Sequence, residues 1–335
     1  MADTPITDAA IPTAQYVKQS TSPATPPSGK VDHYFAANGS MRAKQDSGTI
    51  HVYSLVMPTV QARLSLETGV PISTSDQLAK TTLYLTPFEG NLVTLWDGSN
   101  WNPYYLPGDI SLSLSGLTAN TVRDAWLYDN SGTLTLSSDA WTNDTTPAVS
   151  LVDQNGFKLK SGDTGKLLLG AIRIGNTTGQ CDDGDLHRYV WNFFNRRPRR
   201  LRVIDTTDSL AYSTATFRQW LNNTANRVEF VTRIAQDNLY LKFLANAQVV
   251  SGAAAIAGIG LDSTTVSSTA LAGYLLNASA SNVAGQLIAE YQDVPAIGYH
   301  YLQCLEKGNG SGTTTWFGDA GITGVQSGAE GYIWG

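Results

Sequence analysis

Five arginines stand within the seven residues from Arg196 to Arg202 (Arg196, Arg197, Arg199, Arg200 and Arg202), directly behind Trp191, Phe193 and Phe194. A basic run beside aromatics is what a nucleic-acid binder uses to neutralise phosphates and stack bases. The rest of the chain points elsewhere. Lys and Arg number 22 against 28 Asp and Glu, a formal net charge of -6, and a polyanion footprint normally shows in the charge of the whole domain. Pro198 also interrupts any helix long enough to enter a groove. The expectation is that Arg196, Arg197, Arg199 and Arg200 pair with carboxylates of other segments or other subunits, which suits the planar guanidinium fork. An acidic cluster precedes the run in Cys181-Asp182-Asp183-Gly184-Asp185. This reads as a solvated acidic turn whose Asp182, Asp183 and Asp185 face the arginines across a hairpin. It lacks the ligand spacing and closing glutamate of a known calcium loop, so no metal site is assigned.

A second group of side chains raises carbohydrate chemistry. Trp96, Trp101 and Tyr104 cluster around Asp97-Gly98-Ser99-Asn100, and exposed aromatic faces stack on sugars. Asp97 and Asp109 are near in sequence, but a glycosidase needs its two carboxylates across a cleft, which spacing does not place. The plainer reading is turn-flanking aromatics that close a sheet edge. The four histidines form no i, i+4 metal pair. Gly252 to Gly260 (GAAAIAGIG) lacks the lysine and hydroxyl of a phosphate loop. No catalytic residue and no cofactor is expected. Cys181 and Cys304 lie far apart and read as two buried free thiols.

The elements that must carry these residues read as β-structure. Residues 1–29 hold five of the thirteen prolines among Thr, Ser and Ala and cannot build a core. They form an extended arm, either a tail or an anchoring peptide that orders when docked on another protein. Residues 30–80 read as a small hairpin, turning at Asn38-Gly39, and a connector with short helix. From Thr81 the hydrophobic period becomes two, with turns at Glu89-Gly90, Ser131-Gly132 and Ser161-Gly162. The expected organisation is all-β: the arm, then two β-sandwich or jelly-roll-like modules at 81–202 and 203–335. Only 15% of residues are charged, which suits surfaces covered by association. No apolar run reaches membrane-span length, and the start lacks the pattern of a signal peptide.

The stretch Thr25–Thr49 (TPPSGKVDHYFAANGSMRAKQDSGT) resembles a segment near the start of many tailed-bacteriophage fibre and appendage proteins. Asn38 stands where Asp is usual, and Gln45 interrupts a Lys-Asp pair. LYLTPFEGNLVTLWDGSNW with WNFFNR, and GYHYLQCLE with TTTWFGD and GYIWG, are similar to β modules of the same proteins. The resemblance implies a homotrimeric virion protein, a head fibre or head decoration protein, made in the host cytoplasm and docked on another virion protein through residues 1–29. A tail fibre recognising host-cell surface glycan and a glycan-cleaving tailspike are the alternatives, the latter without a visible parallel β-helix repeat.

Overall fold

The computed structural model describes residues 22–36, 41–52, 58–269, 272–322 and 325–335. Most of the expected arm and the Asn38-Gly39 turn therefore lie outside the described residues. The chain is all-β, with one 3-10 turn at Trp220–Asn222 as the helical element among the described residues. No helix there is long and apolar enough to cross a membrane. Two compact units are present, Met1–Thr59 with Leu92–Tyr105, and Val60–Asn91 with Leu106–Gly335.

In the first unit, Val31–Phe35, Met41–Gln45 and Ile50–Val52 form an antiparallel sheet. The second connection turns at Asp46-Ser47-Gly48, where Gly48 takes φ 81°. The end of the proline-rich stretch is tied to this sheet: Lys44 Nζ donates to the Pro23 carbonyl at 2.8 Å, and the Gly29 amide donates to Asp46 at 2.6 Å. A second hairpin pairs Leu92–Trp96 with Trp101–Tyr105.

The second unit is built from long antiparallel ladders. Thr121–Asn130 and Thr133–Ala140 form a hairpin, and the twelve-residue strand Asp163–Ile174 pairs with the first of them and with Phe157–Lys160. Ala62–Ser65, Thr82–Pro87 and Ile110–Ser113 form a small antiparallel sheet, and two larger sheets make a sandwich. One sheet runs from Gly273–Leu276 through Ala254–Leu261, Gly298–Lys307, Arg227–Thr232, His187–Arg188 and Cys181–Asp183 to Gln77–Lys80. The other centres on Leu239–Val249, flanked by Val283–Asp293 on one side and by Gly328–Trp334 and Pro198–Ile204 on the other. Leu239–Val249 alternates strictly, so Leu241, Phe243, Ala245 and Ala247 enter the core while Tyr240, Lys242 and Leu244 face outward. Opposite them stand Val228, Phe230, Ile259, Leu302 and Cys304.

Two details differ from the sequence reading. The connector at 51–80 carries the strands Ala62–Ser65 and Gln77–Lys80 and no helix among its described residues. The expected boundary at 202/203 falls within the strand Pro198–Ile204. Strands from all three expected segments share one sheet, because ladder pairing across long sequence separations leaves no trace in local hydrophobic period.

Candidate functional site

The arginine run is half strand. Along Pro198–Ile204, Arg199, Leu201 and Val203 point inward while Arg200, Arg202 and Ile204 point outward, so the five arginines have different surroundings. Arg199 Nη2 lies 3.2 Å from one Asp183 oxygen and Arg188 Nη1 3.2 Å from the other. Asp185 receives Arg200 Nη2 at 2.6 Å and Arg188 Nη2 at 3.4 Å. Behind this network the buried Arg63 donates to the carbonyls of Pro71, Asn195 and Gly335. Arg196 pairs with Asp237, and Arg197 with Glu89 at 2.5 Å. Arg202 alone of the five has no carboxylate partner among the described residues.

Burial dominates the electrostatics here. It raises the Asp183 carboxyl above its ordinary value against the pull of Arg199 and Arg188. Burial also lowers Arg199, and lowers Arg63 to about 10 with Arg199 adding like-charge repulsion. The acidic stretch is therefore not a solvated turn throughout. Cys181–Asp183 is a strand paired with Gln77–Lys80 and His187–Arg188, and Asp183 is buried because two guanidiniums compensate its charge. Asp182 does not join the arginines. It accepts from the Ala79 amide at 2.6 Å and meets His187 Nδ1 at 3.1 Å, the His187 contact holding its carboxyl below the usual range.

The aromatics before the run are structural. Trp191 is in a core cluster with Val122, Trp141, Ala171 and Val231, Phe193 packs against it, and Phe194 meets Phe157. The two cysteines are free and buried, and burial pushes both thiols up.

Trp96, Trp101 and Tyr104 do not form one platform. Trp96 and Trp101 are directly cross-strand with ring centroids 5.6 Å apart, but Tyr104 pairs with Val93 on the opposite face of the hairpin. Tyr105, one residue further, shares the tryptophan face. Asp97 accepts from the Ser99 and Asn100 amides and from Asn102, while Asp109 accepts from Thr68 and the Gly69 amide. Asp97 thus holds its own turn, and Asp109 holds the distant Thr68-Gly69 segment.

Three buried ionic sites were not anticipated. Glu229 receives the hydroxyls of Tyr189 and Tyr299 and the Nε of Arg227. Burial would raise its carboxyl, but these donors bring it below the ordinary value. Arg173 lies over both tyrosine rings, 3.8 Å from the Tyr299 centroid. Asp124 receives Arg233 Nε at 2.7 Å and Trp141 Nε1 at 2.9 Å. Glu306 receives Arg218 Nε at 2.7 Å and the Leu221 amide at 3.0 Å, and burial raises it to about 7. Each is an acid set among apolar residues of a strand (RVEFV, VRDAW, LQCLE), a local signal that could have found them. Among the described residues no group of three or more His, Cys, Asp or Glu is placed to hold a metal ion.

A shallow groove of about 500 Å³ lies open to solvent on the outer sheet face. Ile204, Tyr240, Leu244 and Tyr332 supply its apolar walls, and Arg202, Lys242 and Glu330 cross its middle.

No family model matches the chain, and no curated protein does. Among solved structures it is similar to the insecticidal delta-endotoxin Cry8Ea1 from Bacillus thuringiensis (8% identity, 82% of this chain and 52% of that one, TM-score 0.23). It is also similar to infectious bursal disease virus Gx strain (13%, 79% and 73%, TM-score 0.24). A third is a β-porphyranase from Bacteroides plebeius (11%, 79% and 38%, TM-score 0.23). The chain spans about half the length of the endotoxin. TM-scores this low carry neither a shared fold nor a function to this chain.

Proposed function

We propose that this chain is a non-catalytic structural protein of a bacteriophage virion, a homotrimeric head fibre or head decoration protein that attaches through residues 1–29. The observation that carries the reading is how the chemistry-bearing groups are engaged. The carboxylates at 97, 109, 182, 183 and 185 each hold backbone, a histidine or an arginine in place. What faces solvent on this sheet is a surface of aromatic and aliphatic side chains crossed by Arg202, Lys242 and Glu330, and exposed apolar surface of this kind marks association. The family resemblance of the N-terminal and C-terminal motifs supplies the virion context.

The test is attachment. The chain lacking residues 1–29 should keep its β-structure by circular dichroism and lose binding to purified particles; retained binding would move the anchor elsewhere. Light scattering should give a mass that is a multiple of three chains of 35.9 kDa. A second reading, a tail fibre recognising host-cell glycan, is favoured by the cross-strand Trp96 and Trp101 pair. Glycan binding lost in Trp96→Ala would promote it. Release of reducing ends from host polysaccharide would instead favour the tailspike reading.

A further inference from the structure

We propose that the outer face of the sheet around Leu239–Val249 is a contact between two copies of this chain, related by a two-fold axis parallel to the strands. The axis runs between Gly328–Trp334 and Leu239–Val249. The strand registers set side chains of this face in three rows, each crossing Pro198–Ile204, Gly328–Trp334, Leu239–Val249 and Val283–Asp293 in that order. One row reads Ile204, Gly328, Leu244, Ile288. The next reads Arg202, Glu330, Lys242, Glu290. The third reads Arg200, Tyr332, Tyr240, Gln292.

Each row is complementary to its own reversal, which is what a two-fold along the strands produces. The first position meets the fourth of the other copy, and the second meets the third. Arg202 then faces the second copy's Glu290, and Glu330 faces its Lys242, so every charge in the row meets its opposite. In the aliphatic row the bulky Leu244 sits over the second copy's Gly328, a knob over a position with no side chain, and Ile204 meets Ile288. Tyr332 meets Tyr240, extending the pair whose tilted rings lie 5.9 Å apart within one chain. An axis across the strands would instead place each charge of the middle row on its own copy. The geometry is that of aligned sheet packing.

Two further observations favour an occupant. Ile204, Ile288 and Tyr332 are 47%, 42% and 42% exposed in the single chain. Arg202, Lys242 and Glu330 make no side-chain hydrogen bond or ion pair among the described residues. A glycan could stack on the tyrosines but would leave the alternating charges and the leucine-glycine match without a role. The proposal goes beyond the function reading: a three-fold assembly contains no two-fold contact, so this face would join chains or trimers in pairs.

Charge reversal with rescue tests it. The wild-type mass by light scattering at micromolar concentration should be an even multiple of 35.9 kDa. Lys242→Glu and Glu330→Lys should each halve it, since each homodimer then sets two like charges face to face. An equimolar mixture of the two variants should restore the wild-type mass. In the mixed pair, positions 242 and 330 are both acidic on the K242E chain and both basic on the E330K chain, so each contact again joins opposite charges. Both positions lie on the solvent face, and unchanged circular dichroism confirms folding. An odd multiple for the wild type, unchanged masses in the variants, or no restoration on mixing would overturn the proposal. If the wild type is a plain trimer whose glycan binding is lost in Tyr332→Ala, the occupant is a sugar. A plain trimer that binds particles leaves the virion reading standing while this contact fails, and an even mass without particle binding does the reverse.

Discussion

Among the five clustered arginines, burial decides consequence. Arg199 and Asp183 are almost fully enclosed, whereas Arg197 and Glu89 are 45% and 61% exposed in their side chains. Removing one member of a buried pair leaves an uncompensated charge and costs about 3–5 kcal/mol, while an exposed pair contributes about 0–1 kcal/mol. Arg199→Ala should therefore lower urea-unfolding stability severely and Arg197→Ala barely; equal effects would refute the assignment. Glu306 adds a pH dependence. Its carboxyl is raised from 4.5 to about 7 in the folded chain, so the folded state holds this proton more tightly than the unfolded one. Its contribution is intact below pH 4.5 and is lost as pH rises towards 7, a change of about 3 kcal/mol. Urea unfolding below pH 4.5 and again above pH 7 should show the stability difference moving by that amount in favour of Glu306→Gln; a pH-independent difference would remove Glu306 as the source.

At the scale of elements, the central sheet depends on close strand approach. A Cβ on Gly331 would sit 1.9 Å from the Tyr240 carbonyl oxygen and 2.8 Å from the Leu241 Cα, both backbone atoms of the neighbouring strand. No side-chain rotation relieves such a clash, so Gly331→Ala must shift the ladder between Gly328–Trp334 and Leu239–Val249. A loss near the top of the ~1–3 kcal/mol range of overpacking changes is expected. Gly132→Ala in the Ser131-Gly132 turn meets no atom within 4 Å and suffers only from its φ of 92°, so thermal melts should rank it well above Gly331→Ala.

For the whole molecule, net charge and pairing give one answer about polyanions. Four of the five clustered arginines are matched to carboxylates, and the chain carries a net charge of -6. The protein should show negligible retention of duplex or single-stranded DNA in gel shift at physiological salt, unchanged in the Arg196→Ala, Arg197→Ala double variant. Tight binding with a steep salt slope that this variant loses would mean that phosphate is the partner of the run.

The sequence by itself determined the class of architecture and several elements. Alternation in LYLKFLANAQV appears unaltered as an eleven-residue strand with every second residue buried, because a side-chain period of two follows from strand geometry alone. The turns at Ser131-Gly132 and Ser161-Gly162 were legible because glycine there takes φ values that other residues resist. Tertiary structure decided what no window contains. Asp183 is buried only because Arg188 and Arg199 converge on it from different strands, and Glu229 gathers tyrosines from positions 189 and 299. Hydrogen-bond ladders are indifferent to sequence separation, so Gln77–Lys80 can close a sheet whose far edge is Gly273–Leu276. The rows of the outer face likewise exist only once register sets Lys242 beside Glu330, since a one-residue slip would turn every one of those side chains to the other face.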